Sequence, residues 1–376
     1  MQDLAPLQAP AQALTVLGLE SSCDESAAAI VRRHADGRID VLADSVLSQD
    51  SAHAPYGGVV PEIAARAHVE VMDVLTRKVL GDAGLILADI DGFAATSGPG
   101  LVGGVMAALM TAKGLALGAG KPLIAVNHLE GHALSPRLTG QVDFPYLLLL
   151  VSGGHTQLLI ARDVGDYEKL GSTLDDAAGE AFDKTAKIMG LGFPGGPALE
   201  RMAKTGDAAR FDLPLPLARR GGCDFSFAGL KTAARQIWDG LENPDDRDRA
   251  DLSASVQAMI ARSLADRSAR AMVAFRERFP DDAAPLSFVV AGGVAANSAV
   301  RDALSHAAME NGFQLIAPPS KWCTDNAAMI ALAGVEHLAR GETAGLDTPA
   351  RARWPLDPAS AKLNPTIGSG RKGPKA

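Results

Sequence analysis

Aromatic residues are scarce: they make up 5% of the 376 residues, so any core must be aliphatic. Hydrophobic residues reach 47%, enough for a sizeable core without covalent staples. Cysteine is scarce as well. Cys23, Cys223 and Cys323 are odd in number, far apart and never in a C-x-x-C pair. That excludes a disulfide framework and a cysteine zinc site, and it suits a reducing, cytoplasmic compartment. Positive charge is in deficit, with a formal net charge of −8. Such a chain does not attract nucleic acid as a whole, so RNA contact needs a local basic patch or a partner. Candidates are Arg32 with Arg33, Arg219 with Arg220, and the tail residues Lys362, Arg371, Lys372 and Lys375. Each also reads as ordinary solvated surface charge. Long apolar runs are missing too: "LLLLV" at 147–151 is strand-sized, not membrane-sized. Residues 1–13 lack the basic and apolar regions of a secretory signal and read as a flexible leader. The tail 357–376 reads likewise.

What is abundant is glycine, at 39 residues, and order that repeats. "LTVLGLESSCDESAAAIV" (14–31) reads strand, polar turn, strand, and "YLLLLVSGGHTQLLIA" (146–161) reads the same way. "IDGFAATSGPGLVGGVMAALMTAKGLAL" (90–117) reads strand, glycine loop, helix, and so does "LSFVVAGGVAANSAVRDALSHAA" (286–308). A hairpin followed by strand–glycine–helix thus occurs twice, which predicts an α/β chain of two related lobes, 14–140 and 141–324. The second lobe is the longer. Its surplus, about 175–280, has helical periodicity and predicts a helical insertion. A last helix is expected over 325–340, within a C-terminal segment 325–356 packing on the lobes.

"VNHLEGHALS" (126–135) raises the sharpest chemical question. Asn127 is a good N-cap, and a helix should run to about Ser135. His128 and His132, four apart, share one helical face and can share one metal ion, or be a stacked surface pair. A metalloprotease needs its glutamate directly after the first histidine, where Leu129 stands. Glu130 lies about 200° around the helix from His128 and points away from such a metal. Asp325 in "WCTDNAAM" is a candidate third ligand for iron or zinc. It is equally a carboxylate favoured by a helix N-terminus.

The two hairpin turns differ. "SSCDES" offers Ser21, Ser22, Asp24 and Glu25, whereas "VSGGHT" offers Ser152, Gly153, Gly154 and His155. Glycine N–H groups can close around phosphate oxygens, so phosphate is expected at the second turn and a cation or hydroxyl at the first. "AGGVAANSAVR" could seat a nucleotide with Asn297 on the sugar or base. In "DDAAGEAFDKTAK", Glu180 with Lys184 and Asp183 with Lys187 predict a salt-bridged face. No role is derived for Lys231 of "FSFAGLKTA".

Taken in order, "ESSCDES", "YGGVVPEIAAR", "SGPGLVGG", "HLEGH", "LVSGGHTQL", "DDAAGEAFDKTAK", "FPGGP", "FSFAGLK", "AGGVAAN" and "CTDNAAMIA" resemble the tRNA N6-adenosine threonylcarbamoyltransferases of the bacterial TsaD type, formerly called glycoproteases. The resemblance implies two duplicated actin-like, RNase H-like lobes around a nucleotide cleft. It implies transfer of the threonylcarbamoyl group from L-threonylcarbamoyladenylate to adenosine next to the anticodon of tRNAs reading codons that begin with A, releasing AMP. It implies His128, His132 and Asp325 as ligands of one divalent metal, Fe(2+) or else Zn(2+). Leu150, Val151, Ser152, Gly153, Gly154, Asp183, Gly196 and Asn297 would bind the adenylate. Asp24 and Glu25 match acids near the active site, candidates for the amine proton. Implied partners are tRNA, a small actin-like paralogue (TsaB type), an ATPase (TsaE type) and the adenylate synthase (TsaC type), with no membrane. Asn127 departs from the pattern, standing where a third histidine often does. An actin-like ATPase or sugar kinase would leave the histidines idle, and a metallopeptidase would explain only them.

Overall fold

The computed structural model describes residues 12–56, 58–140, 142–280 and 286–363. The first half runs β1 (Leu14–Glu20), β2 (Glu25–Arg33), β3 (Ile39–Ser48), α1 (Asp50–His53), α2 (Pro61–Ala83), β4 (Gly92–Gly98), α3 (Val102–Ala119), β5 (Leu123–Asn127) and α4 (His128–Leu134). Then follow β6 (Tyr146–Val151), β7 (Thr156–Asp163), β8 (Asp166–Ser172), α5 (Ala178–Ile188), α6 (Gly195–Ala203), α7 (Ala228–Asp239) and α8 (Asp246–Arg278). The chain closes with β9 (Leu286–Ala291), α9 (Ser298–Glu310), β10 (Phe313–Ile316), α10 (Ala327–Ala339) and α11 (Pro358–Leu363). Contacts divide the described residues into unit 1 (12–49, 59–140, 325–354) and unit 2 (50–58, 142–324, 355–363).

Unit 1 carries a five-stranded sheet ordered β3-β2-β1-β4-β5. β2 runs antiparallel to β1 and β3, while β4 runs parallel to β1 and β5. Strand side chains alternate faces. Leu17 and Leu19 therefore share a core with Met72, Leu75 and Val79 of α2 and Ala108, Leu109 and Ala112 of α3. The other face meets α10, whose Gly334 lies against Val16 and Ala94. Burial on both faces explains why β1 and β4 read as near-continuous apolar runs.

Unit 2 repeats the plan with the order β10-β9-β6-β7-β8. β7 is antiparallel to β6 and β8, and β9 is parallel to β6 and β10. All of β6 is buried, and Leu147, Leu149 and Val151 meet the helical segment through Phe182, Phe225, Phe227 and Phe275. The duplication read from sequence is thus present as two sheets of one topology.

Several expectations are corrected. α3 is an 18-residue helix of mean hydropathy 1.5, a membrane-length apolar run by length and composition. It packs into the unit 1 core, with 39% of it buried, and Lys113 donates to the Thr348 carbonyl (2.7 Å). One face of α3 thus serves the core, while Val102, Met106, Met110 and Leu117 stay exposed. Lys169 N and Ser360 N donate to Asp357 (both 3.0 Å), and α11 follows, so the segment after Asp357 begins ordered. The edge strand β3 is not among the expected elements: "IDVLADSVLS" has apolar residues but buries only Ala43 fully, as an edge strand does. Residues 1–11 of the expected leader and Arg371, Lys372 and Lys375 lie outside the described residues.

Candidate functional site

The site in unit 1 grows from a short helix. β5 ends at Asn127, whose side chain accepts from Leu129 N (2.9 Å) and so starts α4, as its residue type predicts. The Asn127 amide also donates to the Trp354 carbonyl (2.9 Å). Every residue of α4 is buried, and the rings of His128 and His132 sit edge to face with centroids 4.8 Å apart. Asp325, 193 residues beyond His132 in sequence, precedes the Asn326 cap of α10. Its Oδ1 is 2.9 Å from His132 Nε2 and 3.6 Å from His128 Nε2.

Behind His128 stands Glu20, fully buried at the end of β1. Its Oε2 is 2.9 Å from His128 Nδ1 and accepts from Thr96 Oγ1 (2.5 Å), while Oε1 accepts from Ser22 N (2.6 Å). A carboxylate on Nδ1 holds a proton there and turns Nε2, the ligating nitrogen once its own proton is displaced, towards Asp325. Burial acts to lower the His128 pKa, but the Asp325 and Glu20 charges outweigh it and hold it at about 9. Burial would raise the Glu20 carboxyl, yet His128 keeps it below the usual range. A bound divalent cation would take the place of that imidazole proton.

These residues fit a metal ion. One ligand atom from each of His128, His132 and Asp325 lies within 4.8 Å of the others. Ligands held roughly 2.0–2.2 Å from a shared ion stand about 3–3.5 Å apart, close to the 2.9 and 3.6 Å between Asp325 and the two histidines. His132 Nδ1 is buried with no hydrogen-bond partner among the described residues. Two imidazoles and one carboxylate form a donor set for iron or zinc with positions left open.

Asp24 and Glu25 are half-buried beside Cys23. Burial first, then the charges of Asp24, Asp325 and Glu25, pushes the Cys23 thiol well up, so it stays protonated. The turn is braced from behind by His68, whose Nδ1 meets Ser26 Oγ (2.7 Å) and whose Nε2 meets the Cys23 carbonyl (3.2 Å). Sequence reading missed Glu20 and His68. The signal for Glu20 was present: a carboxylate closing the apolar strand "LTVLGLE". Glu130 points away from the histidines and pairs with His337 (2.9 Å), so it is no base for a metal-bound water.

Unit 2 holds the second group. Ser152 N donates to the His155 carbonyl (2.8 Å), making a tight turn after Leu150 and Val151. Gly153 and Gly154 are exposed, and a Cβ on either would meet nothing within 4 Å, so the bend is open. Gly179 N donates to the Ser152 carbonyl (3.2 Å), and a Cβ there would come within 2.5 Å of that oxygen. Only glycine permits this approach of α5 to the turn. Asp183 Oδ1 accepts from Gly195 N (3.0 Å) and Gly196 N (3.1 Å), tying α5 to α6. The expected pairing of Asp183 with Lys187 gives way to these backbone donors. Asn297 caps α9 through Val300 N (3.0 Å) and donates to Gln257 (2.9 Å). Asp176 takes both Lys184 and Lys231, which gives Lys231 an ion-pair role. Of the basic pairs, Arg32 bonds Thr15 (3.0 Å) and Arg33 faces Glu336 (3.8 Å). Arg219 and Arg220 are exposed.

The model of the family described as tRNA N6-adenosine threonylcarbamoyltransferase, TsaD, matches residues 40–332. The chain belongs to the TsaD family. A protein of that name from Maricaulis maris (strain MCS10) is 74% identical over 376 residues, all of both chains. One from Brucella canis is 58% identical over 363 residues, 96% of this chain and all of the relative. Among solved structures, T. kodakarensis HypF aligns with a TM-score of 0.56 at 14% identity, over 89% of this chain and 49% of that one. A full-length HypF in a phosphate- and nucleotide-bound form gives 0.56 at 12%, over 90% and 57%. These likenesses are of fold, the actin-like α/β fold that the family resemblance implies and with which the duplication agrees. As a TsaD protein the chain is a transferase that modifies tRNA adenosine, and nothing supports the kinase or peptidase alternatives. The family implies a divalent metal, and the His128–His132–Asp325 group could hold one.

Proposed function

We propose that the chain transfers the threonylcarbamoyl group of L-threonylcarbamoyladenylate to the N6 amine of the adenosine beside the anticodon, in tRNAs reading codons that begin with A. The observation that carries this reading beyond family membership is the convergence of His128, His132 and Asp325 within 4.8 Å. Two histidines and a carboxylate suit Fe(2+), with Zn(2+) as the other metal of like appetite. When bound, the ion would supply Lewis acidity and orientation for the threonylcarbamoyl end. Glu20 holds His128 in the ligating tautomer.

The donor is already activated as a mixed anhydride, so no protein nucleophile is required. The N6–carbonyl bond forms, the carbonyl–phosphate oxygen bond breaks, and AMP leaves with the electron pair. In this reading the open turn at Ser152, Gly153 and Gly154 offers donors to the AMP phosphate as its charge grows. Leu150, Val151, Asp183, Gly196 and Asn297 complete the adenylate subsite. Asp24 and Glu25 are the acids available to take the amine proton. The acidic chain works with a TsaB-type paralogue, a TsaE-type ATPase and a TsaC-type synthase, and free Cys23, Cys223 and Cys323 suit the cytoplasm.

The test combines the protein with these partners, threonine, bicarbonate, ATP and unmodified tRNA, then digests the tRNA to nucleosides. The reading expects threonylcarbamoyladenosine. It fails if the nucleoside is absent while a known TsaD protein forms it in the same mixture.

A further inference from the structure

The glutamate of "HLEGH" is left without a task by the chemistry above, yet it is 4% exposed. A buried carboxylate needs a partner. Glu130 Oε2 lies 2.9 Å from His337 Nε2, and His337 Nδ1 lies 2.5 Å from Glu342 Oε2. Both ring nitrogens thus face carboxylates, so both carry protons and the ring is a cation. His337 stands in the last turn of α10, where a positive charge also complements the helix dipole.

The geometry ties this pair to the metal ligands. α4 offers His128 and His132 on one face and Glu130 on the other. α10 has Asp325 just before its N-cap and His337 near its C-terminus. The two helices touch without a spacer: a Cβ on Gly131 would stand 2.8 Å from Ile330 Cδ1. α4 has only seven residues, too short to be rigid by itself. It is bound to α10 on one side by the ligand group and on the other by Glu130.

We infer that Glu130 and His337 are positioning residues that clamp α4 onto α10 and so set the spacing at which His128 and His132 meet Asp325. The inference rests on the metal-dependent reading, but its readout is metal affinity and needs no turnover. Glu130→Gln and His337→Gln each keep a polar side chain of similar reach and remove the ion pair. Both variants, with Glu62→Gln on the exposed face of α2 as control, are titrated with Co(2+) and Zn(2+) at a temperature where circular dichroism shows all of them folded.

Each clamp variant should bind metal about tenfold more weakly, within the range by which residues that touch neither ligand nor metal change coupling. The double variant should lose less than the sum of the two single losses, because the Glu130–His337 contact is shared by both changes while His337 also holds Glu342. Weakened binding should come with an altered Co(2+) visible spectrum, and the control should match wild type. Unchanged affinity and spectrum in folded Glu130→Gln would overturn the inference, as would fully additive losses in the double variant. Failure of the nucleoside assay with wild-type protein that still shows this coupling would instead sink the functional reading alone.

Discussion

The turn between β1 and β2 and the turn between β6 and β7 hold the same place in two sheets of one topology, yet they are chemical opposites. In the first, Ser21 and Ser22 are buried, and Ser21 is locked between the Gly104 carbonyl (2.8 Å) and Ala108 N (3.0 Å). Glu20 directs its charge at His128. In the second, Gly153 and Gly154 face open space with backbone alone. A duplicated hairpin has kept its strands and exchanged what it displays. Carboxylates on the first copy suit a cation site, and bare N–H groups on the second suit an anion. The cores differ too: that of unit 1 has Phe93 as its aromatic, while that of unit 2 has six phenylalanines around the helical segment.

If the two turns divide the work, damage to each should leave the other's function standing. The largest effect is expected from His132→Ala or Asp325→Ala. Bound metal should disappear by elemental analysis and nucleoside formation should fall about a hundredfold or more, while AMP affinity by calorimetry changes little. Glu20→Gln keeps the shape and removes the charge behind His128. It should weaken metal binding by about 10–100-fold. Gly179→Ala drives a methyl group onto the Ser152 carbonyl. It should cost about 1–3 kcal/mol of stability by denaturant titration and weaken AMP binding, with metal content unchanged.

The smallest effect concerns pH. Burial lowers the His337 pKa, but Glu130 and then Glu342 outweigh it and raise it to about 9. A raised histidine pKa contributes stability that is complete below about 6.5 and lost as pH rises through the folded value. In metal-loaded protein, where His128 no longer titrates, the melting temperature should fall by a few degrees between pH 7 and 9.5. His337→Gln should lack that part of the fall.

Local pattern carried much of this into the sequence. The i,i+4 histidines, the Asn127 cap and the serine–glycine turn depend on neighbours a few residues away, and all are found where the pattern set them. Glu20 to His128 spans 108 residues and Glu130 to His337 spans 207. No local rule reports such a pairing. It emerges only when β1, α4 and α10 pack together. Asp183 shows the same limit: its i+4 lysine is a sound local partner, but two backbone N–H groups brought by α6 take one of its oxygens. β3 stayed hidden because an edge strand buries little and so shows little pattern.

X-ray absorption at the metal edge of the purified protein tests the division of labour most directly. One ion per chain is expected, bound by two imidazole nitrogens and carboxylate oxygen with no sulfur, and the signal should be gone in His132→Ala. An ion retained in His132→Ala, or a sulfur ligand from Cys23, would contradict it.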